Sequence, residues 1–445
     1  MTTRPAAEQA FLEAFERLSH ELPGQGLPWI ERLRHDAIST FGELGIPTTR
    51  MEDWRSTRLT ALAETPFRPV AAQSGQAPSR ASLTRATQAI GEAHRLVFLN
   101  GYFSAEHSDL TGLPSGVRIE SLGHVLAHEP QRLEPHLARC SDSKTRAFTA
   151  LNTAFASDGI LVELSEGAEL ERPIHALFIQ QAETTPAALH PRNLLVAGPG
   201  SRARLVEHYL GSGTGVGLTN AVTEVFAARD SRIEHVKLQE ERPEAYHIAE
   251  LHVRQEAGSH FTAHSLSLGA KLMRFDIQAL LCGELAHCSL NGLYLGRDTQ
   301  HVDHHTTIDH AMPHTTSDEV YRGILDGRAH GVFHGRIVVR PDAQKISAEQ
   351  NNRNLLLSSQ ATINSKPQLE IYADDVRCTH GAAIGRLDED ALFYLQTRGI
   401  PLEDARAILT FGFASQLTRK LPVASLAEYI ENHVLAWLPR GEAVR

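Results

Sequence analysis

Ala249-Glu-Leu-His-Val-Arg254 alternates apolar and polar side chains, and Phe275-Asp-Ile-Gln-Ala-Leu-Leu281 largely does the same. A period of two sends every second side chain to one face, so each run reads as a half-buried strand. Leu369, Ile371 and Ala373 alternate in the same way with Glu370, Tyr372 and Asp374. From about residue 155 to 395 no helical spacing interrupts this pattern. Gly258, Gly269, Gly283 and Gly296 punctuate it where turns are required. The segment is therefore mainly β, and its spacing suits a sandwich, a barrel or a solenoid. No exact short repeat singles out the solenoid.

Outside this segment the period changes. Phe11, Phe15, Leu18 and Leu22 follow a spacing of 3.6 and predict a helix that Pro23-Gly24 ends. A second helix holds Ile30, Leu33, Phe41 and Leu44 and stops at Gly45-Ile46-Pro47. Residues 71–90 are small and polar and read as a linker or loop. A short strand is expected at Leu96 to Leu99. After residue 400 the helical period returns, with Pro401 at a first turn and Glu403 and Asp404 suited to a helix N-terminus. Ser425-Leu-Ala-Glu428 has capping-box spacing. Leu426, Ile430, Val434 and Trp437 then form one apolar face, for packing on the protein's own body or for docking a partner.

The 445 residues suggest two or three units, with 42% hydrophobic and 22% charged residues. A formal net charge of -10 argues against nonspecific binding to nucleic acid or anionic membranes. No secretory h-region and no apolar run of ~18 residues is present, so neither export nor membrane spanning is expected. Four sparse cysteines, Cys140, Cys282, Cys288 and Cys378, suggest reduced thiols in a cytoplasmic protein.

His301, His304, His305, His310 and His314 crowd into fourteen residues with Asp303 and Asp309. Imidazole and carboxylate suit zinc or iron. On a strand, however, His304 and His305 point to opposite faces and cannot easily share an ion. A structural role is the first expectation, and a stand-alone metalloenzyme built on this run is the alternative. Gly198-Pro-Gly-Ser-Arg-Ala203 superficially matches a dinucleotide fingerprint, but Arg204 to Tyr209 reads as a strand, so a turn is expected. Gly211 to Gly217 carries no Lys-Ser or Lys-Thr ending, reads as a flexible loop, and leaves the chain without a phosphate loop. His124 and His128 lack the His-Glu-x-x-His order, and no Gly-x-Ser-x-Gly elbow occurs. Cys378-Thr-His380 would share one strand face and could bind iron or zinc; a buried cysteine beside a turn histidine is the plainer account.

Lys366-Pro-Gln-Leu-Glu-Ile-Tyr-Ala-Asp-Asp-Val-Arg-Cys-Thr-His-Gly-Ala382, with Leu392-Phe-Tyr-Leu-Gln-Thr-Arg-Gly-Ile400, closely resembles the C-terminal signature of the SufB/SufD family of iron–sulfur cluster assembly scaffolds. Val332 to Ile337, Gln350 to Ser358, Leu151 to Phe155 and Glu52-Asp-Trp-Arg55 resemble that family too, in the same order. The likeness is to the SufD branch, because no Cys-x-x-Cys lies near the start and no cysteine falls in Asn354–Leu357.

The resemblance implies a right-handed parallel β-helix core, residues 146–395. It would be flanked by a mainly helical N-terminal domain, 1–145 with its linker near 71–90, and a C-terminal helical domain, 396–445. It also implies a scaffold without its own catalytic motif. A SufB-like subunit would pair through the β-helix, and a SufC-like ABC ATPase would dock on the C-terminal helices. Iron or a transient iron–sulfur cluster would be held by His380, with Cys378, at the shared interface. Flavin in the assembled complex is left open.

Overall fold

The computed structural model describes residues 4–70, 80–182 and 184–438. Between Ile160 and Gly385 the chain winds as a parallel β-solenoid with two strands per coil. One sheet takes Ile160–Leu164, Arg192–Ala197, Gly217–Ala227, Tyr246–Gln255, Leu272–Leu281, His301–His310, His330–Val339 and Thr362–Ile371 in that order. The facing sheet runs from His94–Leu99 and Ile174–Ala182 to Ile346–Leu356 and Val376–Gly385. Leu272 lies beside His301 and His301 beside His330, so a coil there is 29 residues, from 272 to 301 and from 301 to 330.

The turns explain how the coil closes. In the facing sheet Arg202, Arg232, His260, His287, Thr316 and Ser347 stand in one register column. Two residues before each lies a left-handed backbone: Gly200, Asp230, Gly258, Leu285, His314 and Lys345, all with φ between 60° and 66°. Several of these residues donate their N–H to the turn of the next coil, as Gly200 does to Arg229, Gly258 to Glu284 and Lys345 to Asp375. The reversal is thus stapled coil to coil by main-chain bonds.

Both outer faces are covered. Helices α1 (Ala6–Leu18), α2 (Pro28–Leu44), α3 (Thr60–Ala63), α4 (Arg80–Ile90), α5 (Leu122–His128) and α6 (Ala147–Phe155) precede most of the solenoid; α7 (Glu389–Thr397), α8 (Leu402–Thr418) and α9 (Ala424–Trp437) follow it. Phe11, Phe41, Phe148 and Leu151 pack over Leu218, Tyr246, Ile248 and Leu272 of the first sheet. On the opposite side Ala414, Leu417, Leu426, Ile430, Val434 and Trp437 cover Val206, Val236, Leu238, Leu266, Leu293 and Ile324. The apolar face of α9 therefore packs on the protein's own body.

The two ends of the solenoid differ. At one, Val117–Ser121 pairs antiparallel with Ile160–Leu164, and Tyr102–Phe103 with His94–Leu99. At the other, Thr362–Ile371 and Val376–Gly385 are the last strands of their sheets, each paired on one side only among the described residues.

Three details depart from the sequence expectations. Residues 80–90 form α4 rather than loop, because Ala86, Ala89 and Ile90 are buried at helical spacing; residues 71–79 lie outside the described residues. Helix α9 starts at Ala424 with Val423 as its N-cap and no side-chain cap, so Ser425 is already inside the helix. Gly211 to Gly213 belong to a strand, which leaves a short turn in place of a long loop. His94–Leu99, where a short strand is expected, pairs in parallel with Ile174–Ala182 and so adds a strand from the first 145 residues to the facing sheet. No described helix is long and apolar enough to cross a membrane.

Candidate functional site

Val376–Gly385 is the final strand of its sheet, and its alternation sends Val376, Cys378 and His380 toward the solenoid interior. At this position no further coil covers them. Cys378 is half-buried against Ile337, Val339, Ala343, Ile346 and Ala348. Burial pushes its thiol up, and a backbone hydrogen bond involving Ala348 opposes that only partly. His380 is exposed. Along an extended strand the two Cα atoms lie roughly 7 Å apart, so thiol and imidazole look out of the same open end. They are two donors of the soft-to-borderline type that binds iron or zinc. Among the described residues no third His, Cys, Asp or Glu joins them in a compact cluster.

Beneath His380 the same column continues inward as Gln350 and then Glu319. Gln350 Nε2 donates to Glu319 Oε2 at 2.5 Å. Glu319 is almost wholly buried, and desolvation lifts its carboxyl to about 7; bonds from Thr306 and Gln350 offset only part of this. Asn352, Asn354 and Ser365 link around it, with Asn354 donating to Asn352 at 2.6 Å and Ser365 to Asn352 at 2.8 Å. Deeper still, Glu207 accepts from His235 at 2.9 Å and from Tyr209 at 2.6 Å, with Lys237 4.0 Å away. Burial raises the Glu207 carboxyl, but His235 and Lys237 outweigh it and bring the group to about 2. Desolvation takes Lys237 down to about 8. The apolar solenoid interior thus holds buried polar groups at several coils.

These interior groups escaped sequence reasoning. Glu319 follows Ser317 and precedes Tyr321 at inward positions of its strand, so a carboxylate at the buried phase of an alternating run was the available signal.

The histidine run is divided by its strand. His304 and His310 point inward, where Ser267 Oγ meets His304 Nε2 at 3.1 Å and Ser317 Oγ meets His310 Nε2 at 2.9 Å. His301 and His305 point outward beneath the N-terminal segment, and His314 occupies a left-handed turn. The five imidazoles do not form one cluster. His124 and His128 stack on the exposed side of α5 with centroids 4.2 Å apart.

A family model described as "SUF system FeS cluster assembly, SufBD core domain" matches residues 178–413, and one described as "SufBD protein N-terminal region" matches residues 5–176. The chain belongs to the SufB/SufD family. Relatives agree along most of their length. A SufBD family protein of iron–sulfur cluster assembly from Synechocystis is 34% identical over 406 residues, covering 88% of each chain. The iron–sulfur cluster assembly protein SufD of Escherichia coli is 28% identical over 401 residues, 89% of this chain and 90% of that one. The chloroplastic protein ABCI7 of Arabidopsis thaliana is 29% identical over 430 residues, 95% of this chain and 89% of that one. The SufB/SufD core match spans the strands that carry Cys378 and His380 and ends inside α8.

Proposed function

We propose that this chain is a SufD-type scaffold subunit that pairs with a SufB-like subunit through the open end of its solenoid and holds iron or a nascent iron–sulfur cluster there with His380 and Cys378. The observation that carries the reading is the position of those two side chains on an uncovered terminal strand. Free strand edges invite pairing with another chain. Exposed Ile371, Tyr372 and Ile384 add apolar surface at the same end. A thiol and an imidazole alone are too few for a four-ligand cluster, so the other ligands come from the partner. Cysteine and histidine bind a cluster best when deprotonated, and a partner that lowers the raised Cys378 thiol would supply that change.

The SufC-like ABC ATPase docks on the C-terminal helices. Because α9 and much of α8 are turned inward, the docking surface is the outer side of α7 and α8, where Phe393 is 68% exposed, Tyr394 57% and Ile408 49%. Catalysis of nucleotide hydrolysis belongs to that partner, and assembly takes place in the cytoplasm. The separation of the five histidines to opposite faces weighs against a stand-alone metalloenzyme using them together.

The test is the assembled complex carrying His380→Ala. The variant removes a ligand from an exposed position and leaves the core untouched. The complex should keep its subunit stoichiometry and lose most of its iron and sulfide after maturation in cells, with Cys378→Ala milder. Wild-type iron and sulfide in an intact His380→Ala complex would exclude His380 as an essential ligand.

A further inference from the structure

On the outer face of the first sheet, one coil in from the open end, the coil repeat sets His305 directly beside His334. Their rings meet edge to face with centroids 4.9 Å apart. Asp53, from the short helical turn Glu52–Trp54, reaches the same place, and one ligand atom from each of the three side chains lies within 4.8 Å of the others. The three residues line a polar cleft of about 250 Å³ between the N-terminal segment and the solenoid wall.

The surroundings prepare these groups for a cation. His305 Nε2 lies 3.0 Å from Asp303 Oδ1, and its Nδ1 has Asp276 Oδ1 at 3.9 Å, too long for a hydrogen bond. Asp303 is itself fixed, by Thr57 at 2.5 Å and Arg274 at 2.9 Å. His334 Nε2 lies 3.3 Å from Gln368 Oε1, which leaves its Nδ1. An acceptor on one ring nitrogen is the usual outer-shell device that points the other nitrogen at a metal. The nearby positive charges are matched: Arg274 by Asp276 and Asp303, Arg146 by Glu250 and Asp276, Lys366 by Glu52, and Arg336, which also lines the cleft, by Glu370 at 3.7 Å. The Asp53 carboxylate is exposed and takes no hydrogen bond or salt bridge among the described residues, while its backbone carbonyl is held by Arg274 Nη1 at 2.7 Å. An anchored main chain with a free carboxylate lets a small side-chain rotation close the set around an ion.

We infer that Asp53, His305 and His334 form a binding site for a borderline divalent transition metal, of the zinc or iron(II) class, distinct from Cys378 and His380. Two imidazoles and one carboxylate are hard enough for iron(II) and nitrogen-rich enough for zinc, and they leave coordination positions open. The ion would also tie Glu52–Trp54 to the solenoid.

The full chain, stripped with a chelator, is titrated with Co(II), and binding of Zn(II) and of Fe(II) under anaerobic conditions is measured by equilibrium dialysis. One equivalent should bind, with visible Co(II) bands of nitrogen and oxygen ligation. Asp53→Asn and His334→Ala should each weaken binding at least about tenfold. Asp53 is exposed, so Asp53→Asn should keep the metal-free melting temperature and remains decisive if His334→Ala misfolds. Zn(II) or Fe(II) binding in preference identifies the class member. No binding by the wild type, unchanged binding by Asp53→Asn, or a near-ultraviolet cobalt–thiolate band that moves the ion to a cysteine would each overturn the site.

Discussion

Glu319 sits two register steps below His380, and among the described residues no cation lies beside it. A carboxylate normally titrates near 4.3; burial holds this one at about 7. The folded protein therefore keeps a proton that the unfolded chain gives up. Between about pH 4.5 and 7 the folded state binds more protons, so this group's contribution to stability is full below pH 4.5 and is lost as pH rises through 7. Glu319→Gln preserves the size and an acceptor for Gln350 but cannot ionise. Relative to the wild type, the variant should be more stable above pH 7 by an amount on the order of 3 kcal/mol and lose this advantage toward pH 4.5. Chemical unfolding of both proteins across pH 4.5–8 measures it; a difference independent of pH would mean that Glu319 does not titrate in that window.

A single turn carries the coil, and the six left-handed residues of that turn include Leu285, which is 65% exposed and has φ 61°. A branched side chain there strains the backbone by roughly 1–2 kcal/mol, whereas glycine adopts the conformation freely at an entropic cost of roughly 0.5–1 kcal/mol. Leu285→Gly should thus raise unfolding stability by about 0.5–1 kcal/mol, visible as a higher urea midpoint with an unchanged m-value; a lower midpoint would mean the leucine side chain makes a contact worth more than the strain. The same turn explains what could be read in advance. Alternation at 249–254 and 275–281 gave strands because their apolar side chains do face the interior. The repeat stayed hidden because its marker is conformational: Gly200, Asp230, Gly258, Leu285, His314 and Lys345 share a φ, not a residue type. At 233–239 polarity does not mark the outer face, since His235, Lys237 and Gln239 point inward while Val236 and Leu238 face the helices. Two apolar surfaces, one inside and one under the helices, compete for the same alternation. Cys378 and His380 were proposed through family likeness, whereas the proximity of Asp53 to His334 needed the coil register and a contact across more than 250 residues of chain, which no local pattern contains.

At the scale of the molecule, the solenoid is a two-sheet layer clad on both outer faces, ending in antiparallel strands at one end and in parallel coil strands at the other, and the cladding fixes how its C-terminal helices can be tested. Removing everything after residue 400 would delete α8 and α9 and strip Val206, Val236, Leu238, Leu266, Leu293 and Ile324 of their cover. Each large apolar side chain so exposed costs about 1.5–3 kcal/mol, and the bared face would be a broad hydrophobic patch. The truncated chain should accumulate as insoluble protein, so its failure to bind an ATPase would say nothing about docking. Phe393 and Ile408 present their side chains outward, and replacing both with Glu removes apolar contact surface without opening the core. That double variant should stay soluble, melt close to the wild type, pair with the SufB-like subunit, and bind the ABC ATPase at least about a hundredfold more weakly, which corresponds to the ~2.7 kcal/mol that two buried aromatic or aliphatic anchors supply at an interface. Calorimetric titration of the ATPase into each protein decides the matter: equal affinities would move the docking surface away from the outer side of α7 and α8, and soluble, folded truncated protein would show that the helices are not required to cover the second sheet.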